Sequence, residues 1–251
     1  MAIGYACIAL AVPGAALTRC TLATATPGRI RAVMRHNLDA LRAMIDYNRR
    51  EEIRLFRISS DIVPFFSHPA NPLAWWDEET ERLAAIGAAV RDGGLRVSMH
   101  PGQYTVLNSP RAEVVEATRR DLAAHARFLD ALGLPDRHRI LLHLGGVYGD
   151  RRASLDRFVE AARSLPEAVL RRLTLENDER CFSIGQVLEA ARRLGLPAIF
   201  DNLHHRLLPE DGTTPEAEWI RLCRATWGAR TGPQKVHYSQ QEPGGRPGAH
   251  A

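Results

Sequence analysis

Five residues able to bind a metal each close a short apolar run. His100 follows 95–99, His143 follows 140–142, Glu176 follows Thr174 and Leu175, Asp201 follows 198–200, and His237 ends 234–237. An earlier run, 53–58, leads into Ser59 and Asp61. Imidazole mixed with carboxylate is the ligand set of zinc, manganese or iron. A carboxylate at a buried strand end is costly unless a cation compensates it, so Glu176 and Asp201 call for one. A single histidine at such a position is ordinarily a hydrogen-bonded structural residue. Five ligand types recurring at the same point of one plan outweigh that reading.

The remaining histidines divide by context. His204 lies three residues after Asp201 and adds a ligand from the same loop, whereas His205 points elsewhere. His68 and His250 stand in loops that reach the same mouth, while His36 and His125 fall within helical patterns and His138 precedes a strand at the opposite end. Lys235 stands out because the chain holds 33 Lys and Arg residues and this is its one lysine. Two residues before His237, it shares that residue's face of the strand. Near metal ions a neutral amine takes up carbon dioxide as a bridging carbamate, which arginine cannot do. The alternative is a survivor of codon bias, in salt-bridge contact with Glu176 or Asp201.

These residues are delivered by a repeating strand and helix plan. Strand one is expected over 3–10. Pro27 opens a helix with Ile30, Val33, Met34, Leu38, Leu41, Met44 and Ile45 at three-and-four spacing, ending near Asn48. The loop after strand two carries Ser59, Ser60, Asp61, Phe65, Phe66 and His68, and a loop of that length at a barrel mouth is usually functional. Asp77 is expected to cap a helix to Asp92, and another helix follows Pro110 to Leu132. A fourth covers 154–165. Ser183 and Gln186 form a capping box for a helix ending at Gly195. Thr214 and Pro215 start the next, and strand seven is 234–237. The fold class is therefore α/β, a TIM (β/α)8-type barrel with its site at the strand C-termini. Seven strands are visible, and the Gly/Pro-rich stretch 243–251 offers no eighth, so the reading is a barrel lacking its last strand-helix unit, shortened from something longer.

Composition bounds the rest. A chain of 251 residues with 45% hydrophobic content suits one barrel domain over 1–251. Cys7, Cys20, Cys181 and Cys223 form no CxxC pair and read as reduced thiols of a cytoplasmic protein. The uncharged, Ala-rich first residues lack the basic region of a signal peptide, and no apolar run is long enough for a bilayer. A net charge of +4 permits nucleic-acid binding without demanding it. Arginine's planar fork suits phosphate.

The stretch His100-Pro101-Gly102-Gln103-Tyr104-Thr105-Val106-Leu107-Asn108-Ser109-Pro110 resembles the signature of the UV damage endonucleases, DNA repair enzymes of the xylose-isomerase-like barrel superfamily. Arg57-Ile58-Ser59-Ser60-Asp61, Leu142-His143-Leu144-Gly145-Gly146, Leu175-Glu176-Asn177-Asp178, Asp201-Asn202-Leu203-His204-His205 and Lys235-Val236-His237-Tyr238-Ser239 fit the family in its order, from Gly4-Tyr5 to about His250. The resemblance implies cleavage of the DNA backbone immediately 5′ to cyclobutane pyrimidine dimers and 6-4 photoproducts, and in some members at abasic sites, leaving a 3′ hydroxyl and a 5′ phosphate. It further implies a cluster of up to three divalent ions, commonly Mn2+, on His100, His143, Glu176, Asp201, His204, His237 and His250, with His68 beside it. Lys235, Glu176 and His237 are then catalytic, and the lysine is carboxylated. Gln103 and Tyr104 match the pair that probes damaged duplex, and Tyr5 matches a lesion-pocket residue. The family adds a strand with a further glutamate ligand beyond the point where this chain stops. The partner implied is double-stranded DNA carrying UV lesions, met by a monomer in the cytoplasm at the nucleoid.

Two rivals belong to other classes. A divalent-metal sugar isomerase or epimerase uses the same barrel on a small polyol, and a non-catalytic module binds damaged DNA without cutting it. Salt-dependent binding to duplex DNA separates the first, and cutting with manganese separates the second.

Overall fold

The computed structural model describes residues 2–248. The elements alternate strand and helix: β1 (Gly4–Ala6), α1 (Pro27–Arg50), β2 (Leu55–Ile58), α2 (Trp75–Glu78), α3 (Thr80–Asp92), β3 (Arg96–Met99), α4 (Ala112–Ala131), β4 (Arg139–His143), α5 (Arg151–Arg163), α6 (Glu167–Leu170), β5 (Leu173–Glu176), α7 (Ile184–Leu194), β6 (Ala198–Asp201), α8 (Asn202–Leu207), α9 (Glu216–Arg224) and β7 (Val236–His237). Two compact units can be distinguished. One runs through Gly102 and includes Arg120–Ile140; the other comprises Gln103–Arg119 and the residues from Leu141 onward. Seven parallel strands are present among the described residues, the α/β class expected. No helix among them is long and apolar enough to cross a membrane.

In the first unit β1, β2, β3 and the start of β4 pair in chain order, with Tyr5 opposite Phe56 and Met99 opposite Ile140. Its longest helix, α1, starts as the sequence dictates: the Thr26 side chain accepts from Arg29 N–H, and Pro27 takes a first-turn position. Ile30, Val33, Met34, Leu38, Leu41, Met44 and Ile45 form its buried stripe. Each such side chain contributes roughly 1.5–3 kcal/mol on leaving water. In the second unit β5 pairs with β6 and β6 with β7. Helix α7 carries the expected capping box between Ser183 and Gln186 and ends at Gly195, whose φ of 66° is the left-handed stop of a helix.

Three expectations are corrected. Strand one stops at Ala6 rather than 10, because Cys7 adopts φ 62° and Ile8 N–H turns back to the Ala6 carbonyl. Asp77 is not a cap: the helix is split at Glu79, Asp77 lies inside α2, and Ala74 holds the N-cap position without a side-chain bond. Strand seven is only Val236–His237; Gln234 lies ahead of it, its side-chain amide donating to the Ile220 carbonyl. The short helices α6 and α8 were not foreseen.

One glycine tests close packing directly. Gly87 lies in α3, where helix propensity alone favours alanine by roughly 1 kcal/mol. A Cβ there would collide with the Leu132 carbonyl oxygen, a backbone atom that cannot swing away. Gly87→Ala is therefore expected to destabilise by about 1–3 kcal/mol, read as a fall in the urea midpoint. An unchanged or higher midpoint would show that the helices separate at little cost.

Candidate metal centre

The second unit gathers a ligand from each of four strand ends. Register places Asp201 directly opposite His237, and Glu176 lies one strand away, paired with Ile199. Parallel strands end on the same side, so Glu176, Asp201 and His237 converge, each offering a ligand atom within 4.8 Å of the others. Glu176 and Asp201 are almost wholly buried. The His237 Nδ1–H donates to Glu176 Oε1 at 2.5 Å, and the same nitrogen is 3.9 Å from Asp201 Oδ2.

His204 comes from the first turn of α8, which Asp201 caps by accepting from His204 N–H at 2.9 Å. Its Nδ1–H donates to the Asn177 carbonyl at 2.9 Å, which leaves Nε2 as the nitrogen with a lone pair to offer. His143 closes β4 with Nδ1 3.3 Å from the Glu176 carbonyl and its ring centroid 5.4 Å from that of His204. Burial, and next the charge of Glu176, push the Asp201 carboxyl above its ordinary value; His204 and His237 oppose the shift. Two carboxylates and an imidazole pressed together out of water form an oxygen and nitrogen set that a divalent first-row cation satisfies, so the residues fit such an ion. Glu179 escaped the sequence reading: its Oε2 lies 3.9 Å from His204 Nε2. Its position three residues after Glu176 was the available signal.

The other candidates stand as follows. In the first unit His100 follows β3, half-buried, its Nδ1 2.9 Å from the Pro101 carbonyl, and its own carbonyl accepts from Ser60 Oγ at 2.6 Å. Tyr5 packs its ring 5.0 Å from that of Phe56, and burial raises its phenol pKa. His68 is exposed, with Nδ1 accepting from Ala70 N–H. In the second unit Gln103 and Tyr104 are exposed, Tyr104 to 71%. Lys235 is half-buried, one residue ahead of β7. His250 lies outside the described residues. His205 turns away as read, its ring 5.1 Å from that of Phe200. His125 and His138 are buried and hydrogen-bonded, His125 within reach of Ser60 Oγ and His138 accepting from Val97 N–H.

Fold and site together describe a protein of the βα-barrel class with carboxylate and imidazole side chains at the C-terminal ends of parallel strands. The chain belongs to the UV-endonuclease UvdE family, which matches residues 2–251. It is 37% identical over 252 residues to the UV DNA damage endonuclease of Clostridium perfringens (strain 13 / Type A), covering 100% of this chain and 61% of that protein. The chain thus spans about three fifths of that relative's length. The crystal structure of SacUVDE superposes with a TM-score of 0.93 at 37% identity, over 100% of this chain and 84% of the other. A D-psicose 3-epimerase structure shares the fold, with a TM-score of 0.57 at 14% identity over 80% of this chain and 68% of that one.

Proposed function

We propose that this chain is a metal-dependent DNA repair endonuclease that hydrolyses the phosphodiester immediately 5′ to UV photoproducts, both cyclobutane dimers and 6-4 photoproducts, and also cuts at abasic sites. The observation that carries the reading is the Glu176, Asp201 and His237 cluster in a chain matched by the UvdE family over residues 2–251. His143, Glu176, Asp201, His204 and His237 would hold the cations. The resemblance adds His100 and His250. Mn2+ is the proposed ion, in up to three sites. When bound, such ions supply Lewis acidity at phosphate oxygens and a nucleophile near neutral pH.

The chain's own residues do the rest. Glu176 and Asp201 furnish the negative charge that retains the cations, and the Nδ1–H bond of His204 to the Asn177 carbonyl fixes the orientation of that ring. A crosslinked dimer stacks and pairs poorly and is cheap to extrude. The exposed Gln103 and Tyr104 suit a pair that enters the duplex where the dimer leaves it, and Tyr5 and His68 are assigned to lesion contact. The substrate is duplex DNA, met by a monomer in the cytoplasm at the nucleoid.

The test is cleavage of a duplex carrying one thymine dimer, with manganese or EDTA, beside an undamaged duplex. The expected result is a manganese-dependent nick just 5′ to the dimer, with a 3′ hydroxyl. Tight binding of the damaged duplex without a nick would reduce the chain to a recognition module. Absence of binding, together with turnover of a ketose, would replace the reading with a sugar epimerase.

A further inference from the structure

Two asparagines outside the proposed ligand set stand directly after the strand ends that carry it, and both are buried. Asn177 follows Glu176. Its Nδ2 donates to the Asp201 carbonyl at 3.1 Å, and its Oδ1 accepts from the Asp201 N–H at 2.8 Å. Asn202 follows Asp201 and repeats the device one strand on: Nδ2 donates to the Ser239 carbonyl at 3.1 Å, and Oδ1 accepts from Ser239 N–H at 2.8 Å. A carboxamide presents the same donor and acceptor pair as a peptide unit. Each asparagine therefore continues the sheet's hydrogen bonding past the last paired residue, at the level where the ligands must be spaced. Two parallel bonds fix orientation as well as distance. The Asn177 carbonyl also takes the Nδ1–H of His204 at 2.9 Å, so this residue touches the main chain of one candidate ligand and the ring of another.

We propose that Asn177 and Asn202 are positioning residues that set the spacing of Glu176, Asp201, His204 and His237 for a divalent cation. The inference rests on the metal-centre reading above. Residues that orient ligands in this way typically change metal affinity or activity by roughly 10–100-fold when removed. Merely structural asparagines would lower stability and leave affinity alone.

The experiment is calorimetric titration of Mn2+ into the metal-free full chain, with melting in EDTA beside it. Asn177→Ala is expected to weaken Mn2+ binding at least tenfold. Leu188→Ala, a buried change in α7 of the same unit, is expected to lower the melting temperature while keeping wild-type affinity. Asn202→Ala carries the same test from the His237 side should Asn177→Ala not fold. A folded asparagine variant that binds Mn2+ within twofold of wild type overturns the proposal, and so does an equal loss of affinity in Leu188→Ala. If the wild-type chain itself binds no Mn2+, the metal-centre reading falls and the inference with it. If wild type and both variants bind and cut alike, the inference falls alone.

Discussion

Asp201→Asn is expected to cut endonuclease activity by roughly 10³-fold, since cation stabilisation of phosphoryl charge is worth several kcal/mol, and to leave the metal-free chain more stable than wild type. The two effects have one cause. Burial and the neighbouring Glu176 raise the Asp201 carboxyl above its ordinary value of 3.8, so the ionised form is disfavoured in the folded state. The folded chain binds the proton more tightly than the unfolded chain. This residue's favourable contribution is therefore fully present below 3.8 and is lost as pH rises through the raised value, leaving the neutral-pH apoprotein strained. The amide carries no charge and keeps the oxygen that caps α8 by accepting from His204 N–H. In EDTA the wild-type melting temperature should fall more steeply than that of the variant as pH rises above 3.8. With manganese the order reverses: saturation at a hundred times the dissociation constant stabilises the wild type by about 2.7 kcal/mol, an increment the variant lacks. A variant less stable than wild type in EDTA at pH 8 would show that Asp201 is a paired structural acid and not a repelled ligand.

That trade explains which parts of the site could be read from sequence. A carboxylate that ends an apolar run, as Glu176 and Asp201 do, contradicts its surroundings, and such contradictions are visible without coordinates. The histidines gained force only from recurrence at the same point of each strand. Parallel pairing then supplied what spacing could not, bringing Asp201 opposite His237, 36 residues further along the chain. Less was legible where one residue has two duties. Asp201 ends β6 and caps α8 at once, so 202–207 read as loop although it is helical. Asn177 and Asn202 stand in the sequence only as letters of motifs, because a side chain that imitates a peptide bond leaves no periodic trace. Glu179 lies in a turn, where no alternation indicates its direction. Cys7 broke the first strand by a left-handed backbone that nothing in a β-type run announces.

Lys235→Arg is the second change of large expected effect, because it separates charge from chemistry. The side chain is half-buried just before β7, two residues from His237. If the lysine serves as a cation beside the carboxylates, arginine keeps that charge and activity should stay within a few-fold of wild type. The proposed carbamate needs a neutral amine instead: Nζ attacks the carbon of carbon dioxide, a new N–C bond forms, one C=O pair moves to oxygen, and the displaced proton leaves to solvent. The product is an anion with two oxygens, reversing the sign of the group and supplying a bridging ligand that arginine cannot imitate. Loss of such a ligand is expected to lower activity by about 10–100-fold. Native mass spectrometry of the manganese-loaded wild type should show an adduct of one carbon dioxide that acid removes, and Lys235→Arg should lack it. Activity of the wild type after dialysis against carbonate-free buffer should recover on adding bicarbonate, whereas the variant should not respond. An arginine variant that cuts at the wild-type rate, with no adduct on the wild type, would return Lys235 to the role of a simple counter-charge and leave the carboxylates and imidazoles to hold the ions alone.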